Sequence, residues 1–315
     1  MLRDMVRIVM LALLMANVGA AARPVIFDTD MGNDIDDALA LAMLHALSDR
    51  GECDLIGVTL TNAHPAAVPY IRMINRFYGR PDLPVGAAIR SLPGGAGDGY
   101  MTAALGGSVP RGEAPAEPAP ELLRRLLRNS RERVVIVQTG FSTNLAALLA
   151  SEGGAALAKA KVARVVAMAG NFTGGEPEYN VRIDVPSAKS VFENWPTPIV
   201  FSGFEIGRDL LYPAASIEYD FAYLRKHPIA ESYRAYHKMP YDRPTWDLTA
   251  ALEAVRPEHG YFSQSDPGAV LVDTNGATQF FPGQGDRRYL RLDPAGQTEI
   301  LEVLTLLASQ PPARR

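Results

Sequence analysis

Short apolar, β-branched runs alternate along this chain with segments whose apolar residues recur at helical spacing. Residues 25–28 (VIFD), 54–61 (DLIGVTLT), 133–140 (RVVIVQTG), 164–170 (RVVAMAG) and 197–202 (TPIVFS) read as strands. Between them, residues 36–47 (DDALALAMLHAL) are apolar on nearly every side, which predicts a buried helix. Helices are also predicted over 65–78, 142–150 and 186–194, with Ser142 and Thr143 suited to cap the second of these. Residues 120–130 (PELLRRLLRNS) predict an exposed amphipathic helix. Residues 80–107 are rich in Gly and Pro and read as loop around a short strand at 83–86, and 110–120 read as a proline-rich connector. Helical segments follow near 216–238 and 246–256. AVLVD, ATQFF and RYLRL then predict an antiparallel addition before a last helix from about residue 296.

This alternation argues for an α/β fold: an open, mostly parallel, Rossmann-like sheet with helices on both faces. Ligands bind such sheets at the carboxyl ends of the strands. Chemistry is therefore expected just after VIFD, VTLT, IVQT, VAMA and IVFS. No internal repeat or second boundary breaks the pattern, so residues 23–315 read as one domain. Residues 1–22 read as a signal peptide, with Arg3 and Arg7, a dozen mostly apolar residues, and small residues before Arg23. The apolar stretch is shorter than the roughly 20 residues a membrane span needs. Cleavage near Ala22 would give an exported protein, periplasmic or secreted, with no membrane attachment. Cys53 is the only cysteine, so no internal disulfide can form, and its apolar neighbourhood predicts a buried side chain.

Composition narrows the function classes. Of 315 residues, 47% are hydrophobic and 21% charged, which excludes an intrinsically disordered chain. The 35 acids exceed the 31 bases, and a nucleic-acid partner would call for the opposite balance.

The first strand runs into an acidic loop in which Asp28, Asp30, Asp34, Asp36 and Asp37 fall within ten residues. Such crowding is repulsive unless a cation neutralises it. The donors are all oxygen, which favours a hard cation such as Ca²⁺ or Mg²⁺ over zinc. An EF-hand would need Gly at position 6 and Glu at position 12 counted from Asp28, and these positions hold Asn33 and Leu39. A phosphatase with an aspartyl nucleophile would place Thr or Val where Gly32 stands. A metal-assisted glycosidase is the third reading. The plainest one, an acidic turn capping a helix, accounts for Asp36 or Asp37 but not for five acids.

FDTDMGNDIDDALAL resembles the N-terminal signature of the inosine–uridine-preferring nucleoside hydrolases. The likeness continues, in family order, through Thr61-Asn62, the segment from Gln138 to Ala146, Glu178-Tyr179-Asn180 followed by Asp184, and Trp246-Asp247. It implies the nucleoside hydrolase fold and Ca²⁺-dependent hydrolysis of the N-glycosidic bond of ribonucleosides to ribose and free base. By resemblance, Asp30, Asp37 and Asp247 would hold Ca²⁺ through carboxylates and Thr139 through its backbone carbonyl, with Asp30 also the general base. Asp36, Asn62, Glu178 and Asn180 would bind ribose, Asn171 would add a further contact, and Trp246 would face the base. Relatives commonly form dimers or tetramers, which implies a homo-oligomer. The loop is longer between Asp30 and the Asp-Asp pair than in the best-known members. Asp34 thus competes with Asp36, and the intact Asp-Asp-Ala-Leu favours Asp36. Many members carry a leaving-group His where this chain has Trp246. His64, His227, His237 and His259 are substitutes to weigh, and Tyr233, Tyr236 and Tyr241 fall in the region expected to wall the base. The alternatives are a same-fold hydrolase of another N-ribosyl compound and a non-catalytic metal-dependent nucleoside receptor.

Overall fold

A computed structural model describes residues 22–93, 99–110, 112 and 114–313. Apart from Ala22, the expected signal peptide lies outside the described residues. The first half of the chain runs β1 (Arg23–Thr29), α1 (Asp36–Asp49), β2 (Cys53–Leu60), α2 (Ala67–Phe77), β3 (Val85–Ala87), α3 (Gly99–Ala104), β4 (Glu117–Pro118), α4 (Ala119–Asn129), β5 (Val134–Gln138), α5 (Thr143–Ala150) and α6 (Gly154–Lys161). It continues with β6 (Val162–Met168), α7 (Tyr179–Ile183), α8 (Val185–Asn194), β7 (Ile199–Ser202), α9 (Phe204–Arg208), β8 (Leu211–Tyr212), α10 (Ala214–Tyr219), α11 (Pro228–Tyr236), β9 (Arg243–Pro244) and α12 (Trp246–Val255). The last elements are β10 (Ser263–Gln264), β11 (Gly268–Val272), β12 (Thr278–Pro282), β13 (Arg287–Arg291) and α13 (Gln297–Ala308).

The main sheet has the order β12-β11-β13-β7-β6-β5-β1-β2-β3-β4, with β10 paired to β13. From β7 to β4 every pair is parallel, and β13 joins β7 in parallel. Antiparallel pairing is confined to β10–β13 at that end and to the separate β8–β9 pair. The expected antiparallel addition is therefore real, except that RYLRL pairs in parallel with β7.

The apolar runs alternate between two cores on opposite faces of the sheet. Val25, Phe27, Val135, Val137, Val166 and Val200 enter one core, while Ile26, Val134, Ile136, Val165, Ile199 and Phe201 enter the other. A strand covered on both faces has no polar side to show, which is why these runs read as continuous. α1 packs among β2, α12 and α13, so residues 36–47 are all buried. α4 lays Leu122, Leu123, Leu126 and Leu127 on the opposite face.

Local expectations fail where tertiary contacts decide. The Gly-rich loop contains α3, anchored by buried Tyr100 and Met101. The Tyr100 hydroxyl donates to the Asp34 carbonyl at 2.8 Å, and its ring meets Tyr70 edge-on. The proline-rich connector supplies β4, at the sheet edge where a missing N–H is tolerated. α6 was not anticipated. The helical stretch expected near 216–238 holds two helices, the second opening at Pro228 with His227 accepting the Ile229 N–H. Ser142 stands at the N-cap of α5 but makes no capping bond; it accepts from Gln138 Nε2, while Thr143 Oγ1 donates to Asp184. Cys53 is buried as expected, and burial pushes its thiol up to about 11.

Candidate active site

The chain turns to opposite sides of β1 when it adds β2 and later β5, so the order reverses between β1 and β5. That crevice is where an open α/β sheet presents its ligand site. The loops leaving β1 and β5 are locked together there. Thr139 and Gly140 both donate their N–H to the Asp28 carbonyl, at 2.7 and 3.1 Å. A Cβ on Gly140 would lie 2.6 Å from the Asp30 nitrogen, so only glycine allows the two loops this approach. Beneath them the Asp28 carboxyl accepts from Thr59 Oγ1 at 2.6 Å and Asn144 Nδ2 at 2.7 Å. Burial still carries its pKa up to about 7 against those two bonds.

A cavity of about 240 Å³ opens at this crevice. Its floor is buried and consists of Asp30, Asp36, Asp37, Thr139, Met168, Glu178, Asn180 and Asp247. Its rim is half-buried and consists of Asn33, Asp34, Tyr179, Phe204, Tyr236, Arg243 and Trp246.

Asp36 and Asp37 open α1, and Asp247 stands in the first turn of α12. Carboxylate oxygens of these three lie within 4.8 Å of one another. Two of the three are held by hydrogen bonds: Asp36 accepts the Asp247 N–H at 3.1 Å, and Asp37 accepts from the Thr29 hydroxyl. Asp30 shares the cavity, with its Oδ2 buried and lacking a hydrogen-bond partner among the described residues. Burial pushes all four carboxyls well above their usual range, and neighbouring charge adds to it. Asp37 acts on Asp30, Asp34 on Asp36, and Asp36 on both Asp37 and Asp247. A cation among them would remove that cost, and an all-oxygen donor set suits a hard one.

Glu178 caps α7. Its oxygens accept the N–H groups of Asn180 (2.8 Å), Val181 (3.1 Å) and Gly170 (3.2 Å). Burial nevertheless raises it to about 7. Asn180 Nδ2 donates to the Thr139 carbonyl at 2.8 Å and the Met168 carbonyl at 3.1 Å, fixing the ends of β5 and β6.

The expected set thus largely converges, with two departures. Asn62 and Asn171 do not line this cavity. Asn62 Oδ1 accepts the Leu92 N–H, and Asn171 folds on itself, accepting from Thr173 and donating to the Glu176 carbonyl. Asn171 lines a separate groove with Phe172 and Thr278. The competition in the acidic loop also resolves spatially. Asp36 sits with Asp37 and Asp247, while Asp34 turns to the rim and pairs with Arg243. None of the five histidines lines the cavity. Trp246 does, stacked on Phe204 with ring centroids 5.5 Å apart, its Nε1 donating to the Phe204 carbonyl. Of the tyrosines weighed, Tyr236 is at the rim, whereas Tyr233 and Tyr241 stack on each other behind it. The sequence reading missed Asn33, Met168, Phe204 and Arg243. Asn33, Met168 and Phe204 carried a positional signal, lying in the acidic loop or at a predicted strand end, whereas Arg243 carried none.

Fold and site together define a parallel α/β protein with an oxygen-lined carboxylate cavity at its switch point. The chain belongs to the inosine-uridine preferring nucleoside hydrolase family, whose sequence model matches residues 25–298. It is 31% identical over 219 residues to the pyrimidine-specific ribonucleoside hydrolase RihA of Salmonella agona, an alignment covering 62% of this chain and 65% of the relative. RihA of Klebsiella pneumoniae gives 31% over 218 residues with the same coverage. The chain therefore spans just under two thirds of the length of these curated relatives. Among solved structures, a plant nucleoside hydrolase superposes with a TM-score of 0.70 at 23% identity, covering 92% of this chain and 99% of that one. The inosine-uridine preferring nucleoside hydrolase from Bacillus anthracis gives 0.68 at 20%, covering 91% and 99%. These two likenesses establish the fold.

Proposed function

We propose that this protein is a Ca²⁺-dependent hydrolase of the N-glycosidic bond of ribonucleosides, releasing ribose and a free base. The carrying observation is the convergence of Asp30, Asp36, Asp37, Asp247 and Glu178 on one buried floor in a chain of this family. Asp30, Asp37, Asp247 and the Thr139 carbonyl would hold the ion, and the closeness of Asp36 makes it a further candidate ligand. Bound Ca²⁺ would supply Lewis acidity, making a nearby water more acidic. Asp30, with a carboxylate oxygen that has no hydrogen-bond partner among the described residues, accepts that water's proton as it attacks C1′. Glu178, Asn180 and Asp36 bind the ribose hydroxyls, and the carboxylate floor stabilises positive charge developing on the sugar. The N-terminal pattern supports export of the mature chain.

Purified protein incubated with a ribonucleoside panel should release reducing sugar, and a chelator should abolish the release. No release from any ribonucleoside would reject the reading. Asp30→Asn should lower kcat by about 10²–10⁴-fold, the range for loss of a general base. A nucleoside receptor would show no turnover to lose. The absence of histidine from the cavity supports one second reading, a hydrolase of another N-ribosyl compound whose leaving group needs no imidazole acid. Turnover of such a compound with none of any ribonucleoside would favour it.

A further inference from the structure

Breaking a glycosidic C–N bond leaves an electron pair on the departing nitrogen, and something must stabilise it. The floor of this cavity is built largely of carboxyl groups and offers that pair no cationic side chain. Six of the lining residues are carboxylic acids, and no histidine is present to give a proton. Among the described lining residues Arg243 is the one cation, and it stands at the rim, where a base would lie when the ribose is on the floor.

Arg243 is held in a fixed pose. Nε donates to Asp34 Oδ1 at 3.0 Å, and Nη2 donates to Asp34 Oδ2. The guanidinium carbon lies 5.3 Å from the Tyr236 ring centroid and 5.4 Å from that of Trp246. Its side chain is 26% exposed and that of Asp34 14%. Nη1 has no protein acceptor among the described residues, which leaves donors for a ligand. The two aromatic neighbours offer faces on which a planar base can stack.

We propose that Arg243 is the leaving-group residue of this site, donating a charged hydrogen bond to a carbonyl oxygen of the departing base. The substrate class is then ribonucleosides whose base leaves as an oxygen-stabilised anion, uridine before adenosine. This rests on the ribonucleoside-hydrolase reading. The C1′–N bond breaks with its electron pair on the base. A water oxygen forms the new bond to C1′ and its proton passes to Asp30. The base anion, its charge drawn to the carbonyl oxygen at Arg243, takes a proton from solvent. Arg243 gives up no proton: burial acts to lower its pKa, but the Asp34 hydrogen bond and charge more than offset this. Nor is Tyr236 a competing acid, since burial, with Asp34 beside it, pushes the phenol up to about 12.

The test compares uridine with p-nitrophenyl β-D-ribofuranoside, whose leaving group is already a good anion, using the Ca²⁺-loaded full mature chain. Arg243→Gln should lower kcat/KM for uridine by about 10²–10³-fold, as for loss of one charge-stabilising donor. The ratio of uridine to p-nitrophenyl riboside kcat/KM should fall at least about tenfold. Across substituted phenyl ribosides the dependence on leaving-group pKa should steepen. Arg243→Lys, which keeps the charge, should recover part of the ratio and guards against a merely misfolded glutamine variant. A residue that only positions the loop through Asp34 would lower both substrates alike. An unchanged ratio in Arg243→Gln, or wild-type preference for adenosine, overturns the proposal for Arg243 alone. A wild-type protein inactive on every ribonucleoside overturns the hydrolase reading and this proposal with it.

Discussion

Imidazole chemistry in this chain lies away from the cavity, and His45 makes the point measurable. Its Nε2 donates to Asn75 Oδ1 at 2.9 Å, Arg80 lies 3.4 Å from Nδ1, and the ring stacks on Tyr78. Burial, and then the Arg80 charge, lower its pKa from 6.5 to about 3. Between those values the unfolded chain binds a proton that the folded chain refuses. The contribution of His45 to stability is thus complete above about pH 6.5 and is lost as pH falls toward 3, by at most about 1.4 kcal/mol per pH unit. Urea unfolding of the wild type and His45→Gln at pH 7.5, 6.0 and 5.0 should give stability curves that converge on acidification. Parallel curves would reject the assignment. The same residue scale shows what was legible beforehand. Asp30, Asp36, Asp37, Glu178 and Asp247 could be read because each stands in a compact local pattern. Arg243 could not, because its partner Asp34 is 209 positions away, and Tyr179 meets Asn33 across 146.

At the scale of elements, the β1 and β5 loops show how backbone packing sets side-chain geometry. Asp30 owes its position to the contact between these loops, and that contact needs a residue without Cβ. In Gly140→Ala the new methyl would meet Thr61 Oγ1 at 2.2 Å, the Asp30 nitrogen at 2.6 Å and the Thr29 carbonyl carbon at 2.7 Å. Two of these are backbone atoms and cannot swing aside, so the β1 loop must shift. Overpacking of this kind costs about 1–3 kcal/mol. A displaced Asp30 should lower kcat by about 10²-fold, as small misplacements of reacting groups do. Activity near wild type in a well-folded Gly140→Ala protein would show that the loops move freely. Elements with strong periodicity or unbroken apolar runs were legible in sequence. α3 and β4 were not, because Gly and Pro dominate their neighbourhoods and distant partners stabilise them: Tyr70 for α3 and the β3 edge for β4.

On the scale of the whole molecule, alternation announced a parallel sheet, but periodicity carries no information on strand order. The order is what turns scattered acids into one site. The proposed ligands come from the loop after β1 with the start of α1, from the residue after β5 and from the start of α12, spread from Asp30 to Asp247, and no two of these three regions are neighbours in sequence. An unfolded chain cannot assemble them, so on the proposed reading the ion would bind only the folded state and its binding free energy would add to folding stability. At a free Ca²⁺ concentration 100 times Kd the gain is about 2.7 kcal/mol. For a domain of this size that raises Tm by about 5 °C. Calorimetry should therefore show a Tm that falls on chelation and rises with added Ca²⁺, and the rise should be largely lost in Asp247→Asn. Mg²⁺ should substitute poorly, since it demands near-octahedral geometry and sheds its water reluctantly. A Tm indifferent to chelator and to Ca²⁺ would mean that the carboxylates share protons rather than a cation, which their upward-shifted pKa values would permit. The proposed mechanism would then lose its metal while the fold stood unchanged.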